Sequence, residues 1–300
     1  MKKTTNTNDR SAVRVRLSTS SCQSTGRARR VKRVIGGEHI EVGEWPWLVS
    51  LKAKVVTSRF LGIPVRHAYY YCGGSVLNDG WILTAAHCFD ESSDPDDWEA
   101  RLATVSLTAD IIDKLKHLLG RLFGRSDWLQ WEIDLDRIVI HPQYDKLDLW
   151  NNDIALVHLE DQVPSGPQYS DIQRIHLPSN GDSFLSTGDV CVMKGWGCTS
   201  AGGGVSKLAM KVDLPILSET RCKTYYDYKH LGNRICAGFR DSDAGICPGD
   251  SGGPLVCRDA VGTWTQVGVA SFSSRFRPGE FPGAFTRISQ YTDWIRTIID

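Results

Sequence analysis

The sequence predicts an all-β protein, either a barrel or a sandwich, that ends in one amphipathic helix. From Val34 onward, short apolar or alternating runs are separated by Gly, Pro, Asn and Asp, which is typical of many short strands joined by turns. The runs cover residues 45–51, 68–77, 81–85, 138–140, 154–159, 190–194 and 266–272. Near the C-terminus, apolar residues recur every three or four positions, which predicts the closing helix. They are Ile288, Tyr291, Ile295, Ile298 and Ile299.

A second segment with helical spacing lies between residues 109 and 124. Asp110 stands at its start and Arg121 near its end, which is the favourable arrangement for a helix dipole, and Gly124 is suited to end the helix. We expect its apolar face to pack on its own domain, with a partner or a membrane surface as the alternative.

Composition and charge divide the chain near residue 33. The 300 residues are 41% hydrophobic and 23% charged, as in an ordinary globular protein, and the zero net charge argues against a nucleic-acid binder. However, residues 1–33 carry ten Lys and Arg and one acidic residue, so they hold +9 and the rest of the chain holds −9. The Ser-, Thr- and Arg-rich segment 1–33 is predicted to be a disordered propeptide, with nucleic-acid binding as the weaker alternative.

Nine cysteines without a Cys-x-x-Cys pair predict disulfides rather than a zinc site. Disulfides favour a secreted, extracellular protein. Residues 1–33 contain no apolar run that resembles the core of a signal peptide, and no stretch of the sequence is long enough to predict a transmembrane segment.

Three short motifs together supply the parts of a nucleophilic catalytic site. Each motif is weak alone, because a single His, Asp or Ser is usually structural. In combination they offer Ser251 as a nucleophile, His87 as the base that takes its proton, and Asp153 as the carboxylate that orients the base. The motifs are LTAAHC at 83–88, NNDIAL at 151–156 and GDSGGP at 249–254.

The third motif also matches the nucleophile elbow of α/β hydrolases. Those enzymes carry their residues in the order Ser, Asp or Glu, His, whereas this chain has His, Asp, Ser. The strand-rich pattern also lacks alternating helices, so the elbow interpretation is rejected.

From Val34 to the C-terminus, these motifs resemble the trypsin/chymotrypsin family of serine proteases. The resemblance implies two packed six-stranded antiparallel β-barrels with a C-terminal helix, and an endopeptidase that forms an acyl-enzyme. It gives His87 the role of general base and then acid, Asp153 that of orienting the imidazole, and Ser251 that of attacking the peptide carbonyl. The backbone N–H groups of Gly249 and Ser251 would form the oxyanion hole. The implied partners are protein or peptide substrates of a monomeric enzyme without a cofactor; the alternative is an inactive homologue that binds partners.

The resemblance also implies activation by cleavage. Residues 34–37 resemble the family's mature N-terminus and follow Arg33. A cut after Arg33 by an activating protease would free the amine of Val34 to pair with Asp250, beside the nucleophile. Residues 30–33 fit the Arg-x-Lys-Arg signal of proprotein convertases, and any trypsin-like enzyme is the equal alternative.

Family-type disulfides account for most of the cysteines. Three carry over directly: Cys72–Cys88, Cys191–Cys257 and Cys222–Cys236. The chain departs from the family at Cys247, whose usual partner would lie between Ser273 and Pro282, where there is no cysteine. The resemblance implies that Cys198, directly after residues 195–197, lies near the loop that holds Cys247, so a Cys198–Cys247 bond is predicted. Cys22 has no evident partner, because His176 occupies the position where one is expected.

The resemblance places an uncharged pocket beside the nucleophile. Gly245 stands at the floor, where trypsin-like specificity needs an Asp, and is followed by Ile246; Ser273 and Gly283 would form the walls. This predicts cleavage after medium apolar residues. The alternative is a preference for acidic residues through Arg275 and Arg277.

Neighbouring positions complete the implied substrate site. Ser271 and Phe272 would form the edge strand that pairs with the substrate backbone, and Trp150 would restrict the next subsite to small residues. No metal is expected, because Thr104 occupies the position of the first ligand in the family's calcium loop.

Overall fold

A computed structural model describes most of the chain after residue 37. The described residues are 38–61, 63–107, 131–164, 166, 169–181, 185–200, 202–226, 232–238, 245–259, 261–274, 277 and 280–300. All of them belong to one compact unit, residues 32–300. The predicted propeptide at 1–33 and the predicted helix at 109–124 lie outside the described residues.

The described residues form thirteen strands, which is the all-β architecture that the sequence predicts. In chain order they are β1 (Glu38–His39), β2 (Leu48–Phe60), β3 (Ile63–Val76), β4 (Trp81–Thr84), β5 (Trp98–Leu102), β6 (Trp131–Ile140), β7 (Ala155–Leu159), β8 (Val190–Gly195), β9 (Met210–Pro215), β10 (Arg234–Ala237), β11 (Pro254–Arg258), β12 (Trp264–Phe272) and β13 (Gly283–Arg287). Neighbouring strands of the two sheets pair antiparallel.

Strands β2 to β7 form a closed barrel in the order β2-β3-β4-β7-β6-β5. Its interior is apolar because alternate residues of each strand point inward. Leu51, Leu83 and Leu156 are fully buried there. Within the barrel, closure leaves these strands without a free sheet edge.

The remaining strands form a curled sheet in the order β1-β9-β8-β11-β12-β13-β10. Ile216, just after β9, and Ala237 in β10 form an isolated antiparallel bridge. Six strands, β8 to β13, thus curl until the two sides of the sheet meet at this bridge. The predicted two-barrel fold is confirmed, with the difference that the second barrel is a curled sheet rather than a fully paired cylinder.

The C-terminal helix that the sequence predicts is present. In the described part of the chain the α-helices are α1 (Glu219–Lys223) and α2 (Thr292–Ile299). A 3-10 turn at Ile288–Gln290 precedes α2, and Ile288, Tyr291 and Ile295 pack into the core of the first barrel. No described helix is long and apolar enough to cross a membrane.

The described residues contain four disulfides, with the pairings that the sequence analysis predicts. They are Cys72–Cys88, Cys191–Cys257, Cys198–Cys247 and Cys222–Cys236. Cys22 lies outside the described residues. The third bond joins the segment after β8 to the segment before β11, and Cys247 lines the cleft described below.

Candidate active site

His87 lies in a 3-10 turn, Ala86–Phe89, directly after the buried strand β4. Two contacts hold this turn and the end of β4 to strand β3. The disulfide of Cys88 with Cys72 fixes the turn covalently, and the hydroxyl of Thr84 donates to the carbonyl of Gly73 at 2.8 Å. The imidazole therefore stands on a rigid support, with 18% of its side chain exposed.

Asp153 lies just before β7 and is fully buried. The Nδ1 atom of His87 lies 2.7 Å from one carboxylate oxygen, Oδ2, and the backbone N–H of His87 donates to the other at 2.8 Å. The hydroxyl of Ser271 donates to Oδ2 as well, at 2.5 Å. An ionised carboxylate only accepts hydrogen bonds, so these contacts assign the imidazole proton to Nδ1 and leave Nε2 as the basic nitrogen.

The two groups perturb each other's pKa in opposite senses. Burial alone would raise the pKa of Asp153, but the charge of His87 and the hydrogen bonds hold it below its usual value. Burial alone would lower the pKa of His87, and the charge of Asp153 and its hydrogen bond raise it overall. The arrangement favours a carboxylate beside an imidazole that accepts a proton readily.

The loop before Asp153 has an unusual backbone. Trp150 and Asn152 have φ angles of 54° and 53°, in the left-handed region that side chains other than Gly rarely adopt. Asn152 is held there by its own side chain, whose Nδ2 donates to the carbonyl of Gln143 at 2.7 Å and whose Oδ1 accepts from Tyr291 at 2.8 Å. This backbone places the Trp150 side chain against the cleft.

Ser251 lies at the turn that leads into β11. Its carbonyl accepts from the backbone N–H of Gly73 at 2.7 Å, which ties the turn to the first barrel next to the His87 support. His87 and Ser251 line the same cleft, which has a volume of about 200 Å³. The structure thus brings the three residues of the predicted triad to one place from three distant parts of the chain.

Gly249 must be glycine for two structural reasons. Its φ angle is 103°, and a Cβ atom there would lie 2.6 Å from the carbonyl oxygen of Trp196. The backbone before Ser251 can therefore follow this path only without a side chain at Gly249.

Asp250 is buried with backbone donors as its partners in the described part of the chain. Its two carboxylate oxygens accept from the N–H of Gly197 at 2.9 Å and of Cys247 at 3.0 Å. Burial nevertheless raises the pKa of Asp250 to about 6. The predicted activation residues Arg33 and Val34 lie outside the described residues.

The cleft contains most of the residues predicted to bind substrate. Its lining residues are His87, Trp150, Ile246, Cys247, Pro248, Asp250, Ser251, Ala270, Ser271, Phe272 and Ser273. Gly245 is buried and does not line the cleft. Gly283 likewise lies behind the lining, where a Cβ atom would come within 2.8 Å of the Ile246 side chain.

Ile246 lines the cleft with a side chain that is almost fully buried. It is 2% exposed and belongs to the apolar core of the second barrel. Its side chain packs against Gly283 and gives this side of the cleft an apolar surface.

Two residues at the cleft were missed in the sequence analysis. Tyr226 contacts Phe272 with a ring-centroid distance of 5.3 Å, and Phe272 contacts Trp150 at the same distance. Arg234 places its guanidinium 5.4 Å from the Phe272 ring and donates to the carbonyl of Leu149 at 2.6 Å. Neither residue lies in a recognisable motif. Tyr226 lies in the segment between β9 and β10, and Arg234 is the first residue of β10.

Among the residues that the structure describes, no three His, Cys, Asp or Glu side chains are grouped so that they could hold a metal ion.

Comparison with known proteins agrees with the fold. A family model described as "Trypsin" matches residues 34–295. The chain is 32% identical to "Transmembrane protease serine 9" of Rattus norvegicus over 263 residues, which is 88% of this chain and 21% of that relative. The chain thus spans about a fifth of the length of this relative. The match across nearly the whole chain shows that it belongs to the trypsin family of serine protease domains.

Proposed function

We propose that the chain is a serine endopeptidase that cleaves proteins or peptides through an acyl-enzyme. The observation that carries the proposal is the hydrogen-bonded pair of His87 and Asp153, which faces the same cleft as Ser251. Nε2 of His87 takes the proton from the Ser251 hydroxyl as its oxygen attacks the peptide carbonyl, and later gives that proton to the leaving amine. Asp153 holds the imidazole in the required tautomer and stabilises the cation.

The oxyanion is bound by backbone donors in this mechanism. The N–H groups of Gly249 and Ser251 would hydrogen-bond the negatively charged oxygen of the tetrahedral intermediate. The left-handed backbone at Gly249 supports this role, because it sets the orientation of the peptide plane on which such donors depend.

The enzyme is made as an inactive precursor in this account. A cut after Arg33 creates an amine on Val34 that pairs with Asp250 and orders the loop of the oxyanion hole. The buried carboxylate of Asp250, whose pKa is raised to about 6, supports the proposal because a partner of opposite charge would offset the cost of its burial.

The pocket favours medium apolar side chains before the scissile bond. Ile246 shortens the pocket, and Ser273 adds a small polar wall. The alternative, an acidic preference, is less well supported. Arg277 forms an ion pair with Glu280 at 3.2 Å and lies over the Phe281 ring, so its charge is already engaged, while Arg275 lies outside the described residues.

The substrate backbone would pair with the end of β12 at Ser271 and Phe272. The ring of Trp150 stacks at an angle on Phe272 and narrows the adjoining subsite. Small residues should therefore precede the apolar residue in good substrates. The four disulfides support a domain that matures in the secretory pathway and works outside the cell.

A fluorophosphonate probe tests whether the site is competent. Such a probe reacts with a serine that is activated by its neighbours, so processed protein should be labelled on Ser251 and the Ser251→Ala variant should not. Absence of labelling in folded, processed protein would favour the inactive homologue that binds partners through the same scaffold.

A further inference from the structure

The hairpin of β2 and β3 extends well beyond the barrel. β2 pairs with β5 as far as Ala53, and beyond that residue it pairs with β3 alone. In β2, Lys54 and the last four residues are exposed. In β3, the first five residues are exposed. The distal part is thus a two-stranded ribbon that projects into solvent.

The end of this ribbon is apolar on both faces. Residues 60–65 read FLGIPV and contain no polar side chain. Phe60 is 67% exposed, Leu61 87%, Ile63 66% and Val65 52%. Since successive side chains of a strand point to opposite faces, the consecutive apolar residues at 63–65 leave neither face polar. We call residues 60–65 the apolar tip.

Basic residues lie behind the apolar tip, and the whole hairpin lacks acidic ones. No Asp or Glu occurs between residues 51 and 78, whereas Lys54, Arg59, Arg66 and His67 do. Arg66 is three residues from Ile63, which corresponds to about 10 Å along a strand. The charge of the hairpin is therefore complementary to an anionic surface. If the apolar tip entered the boundary between the headgroups and the acyl chains of a membrane, the basic residues would lie at the level of the headgroups.

We propose that the apolar tip inserts into the interfacial layer of membranes that contain anionic lipids. A contiguous exposed apolar patch marks a partner or a membrane. A protein partner would cover one face of the ribbon, but here both faces are apolar. The end of the ribbon also projects from the domain, so a lipid layer can surround it on all sides. The basic residues then contact lipid phosphates and carboxylates, and the protease domain stays in water.

Flotation with lipid vesicles tests the proposal in the 300-residue chain that carries Ser251→Ala. The vesicles are pure phosphatidylcholine or contain phosphatidylserine. The test variant is F60T/L61N/I63T, in which Thr keeps the strand preference and Asn tolerates the positive φ of Leu61. The matched control is L147N/V261T, which replaces two exposed apolar residues elsewhere, 95% and 86% exposed. Thermal unfolding shows that each variant is folded.

The tip variant should bind phosphatidylserine vesicles at least tenfold more weakly than the control, because three apolar side chains no longer enter the layer. Arg66→Gln should weaken binding about fivefold. Residues 1–33 hold +9 and can also attract anionic vesicles, but they are identical in all variants and their contribution disappears in high salt. Binding that survives high salt in the control and not in the tip variant is the expected result.

Insertion is checked by fluorescence of a Leu61→Trp variant. Phospholipids with brominated acyl chains should quench the added emission beyond the quenching of the other tryptophans. Equal vesicle binding by the tip variant and the control would overturn the proposal, and so would the absence of extra quenching. Self-association that is lost in the tip variant without any vesicle binding would also overturn it, in favour of a second copy as the partner.

Discussion

The hydrogen bond between His87 and Asp153 determines how the proposed activity depends on pH. His87 acts as a base only when it is neutral, and the carboxylate of Asp153 raises its pKa above the usual 6.5. We expect kcat/KM to rise with pH through a single ionisation above pH 6.5. Asp153→Asn should move this ionisation to lower pH and reduce kcat by about three to four orders of magnitude. A pH–rate profile of both proteins measures the shift; an unchanged ionisation in Asp153→Asn would contradict the assignment.

Gly249 gives a second prediction for a single residue. Gly249→Ala forces a Cβ atom against the Trp196 carbonyl and disfavours the φ angle of 103°. The displaced N–H should cost about a hundred- to a thousandfold in kcat, with a smaller change in KM. Steady-state kinetics on a short peptide measures this, and Gly262→Ala serves as the control, since φ is also positive there, at 88°, and the space is open. Equal activity of the two variants would contradict the role of Gly249.

Ile246 allows the pocket to be tested. Ile246→Ala should lengthen the pocket and raise kcat/KM for Phe relative to Leu before the scissile bond. A ratio change of about tenfold or more follows from the 1–3 kcal/mol that a methylene group is worth in such a pocket. Competition between paired peptides measures the ratio. A ratio that does not change would place the side chain outside the substrate pocket.

At the scale of elements, the disulfide Cys198–Cys247 holds together the two segments that meet around Asp250. The backbone N–H groups of Gly197 and Cys247 donate to that carboxylate, so the covalent bond and the hydrogen bonds connect the same segments. The double change C198S/C247S should lower the free energy of unfolding by about 2–4 kcal/mol. Urea denaturation measures it, with C222S/C236S as the control for a disulfide away from Asp250.

Kinetics distinguish the two disulfides further. C198S/C247S should reduce kcat of the processed protein, because the segment before Ser251 loses an anchor. C222S/C236S should change stability with a smaller effect on kcat. A larger loss of kcat in C222S/C236S than in C198S/C247S would contradict a link between the disulfide Cys198–Cys247 and the segment before Ser251.

Several elements could be predicted from the sequence because their burial imposes a pattern. The run 154–159 became β7 at Ala155–Leu159, and 190–194 became β8 at Val190–Gly195. The distal half of β2 and β3 was missed because a ribbon exposed on both faces shows no alternation. The C-terminal pattern begins at Ile288, but a 3-10 turn occupies the first residues and the helix starts at Thr292.

At the candidate active site, the sequence motifs predicted the reactive side chains themselves and the residues next to them in the chain. His87, Asp153 and Ser251 each sit in a recognisable motif. The hydrogen bond from Ser271 to Asp153 joins residues 118 positions apart, and the packing of Ile246 against Gly283 depends on how β13 meets the loop that holds Ile246. Such contacts arise from the closure of the fold, so local sequence carries no sign of them.

At the scale of the whole molecule, the proposed activation by a cut after Arg33 predicts that cleavage changes how the stability of the fold depends on pH. The pKa of Asp250 is about 6 in the unprocessed chain, above the ordinary value of 3.8. The folded state therefore binds the proton more tightly than the unfolded state, and stability is lost as pH rises from about 4 to about 6. Relative to Asp250→Asn, the unprocessed chain should lose about 2–3 kcal/mol over this range. Processing should abolish the loss, because the amine of Val34 then favours the carboxylate.

Urea denaturation at several pH values measures this difference, with Ser251→Ala in every protein to prevent self-digestion. Asp250→Asn cannot titrate and serves as the internal reference. The same pH dependence before and after processing would contradict the pairing of Val34 with Asp250.

The most direct test of the central claim is the cleavage of a peptide library by the purified 300-residue chain, before and after it is cut at Arg33. The account predicts cleavage only after processing, mainly after medium apolar residues such as Leu, Met or Phe, and none with Ser251→Ala. Cleavage that persists in Ser251→Ala, or none from folded and processed protein, would contradict the claim that His87, Asp153 and Ser251 form a working triad.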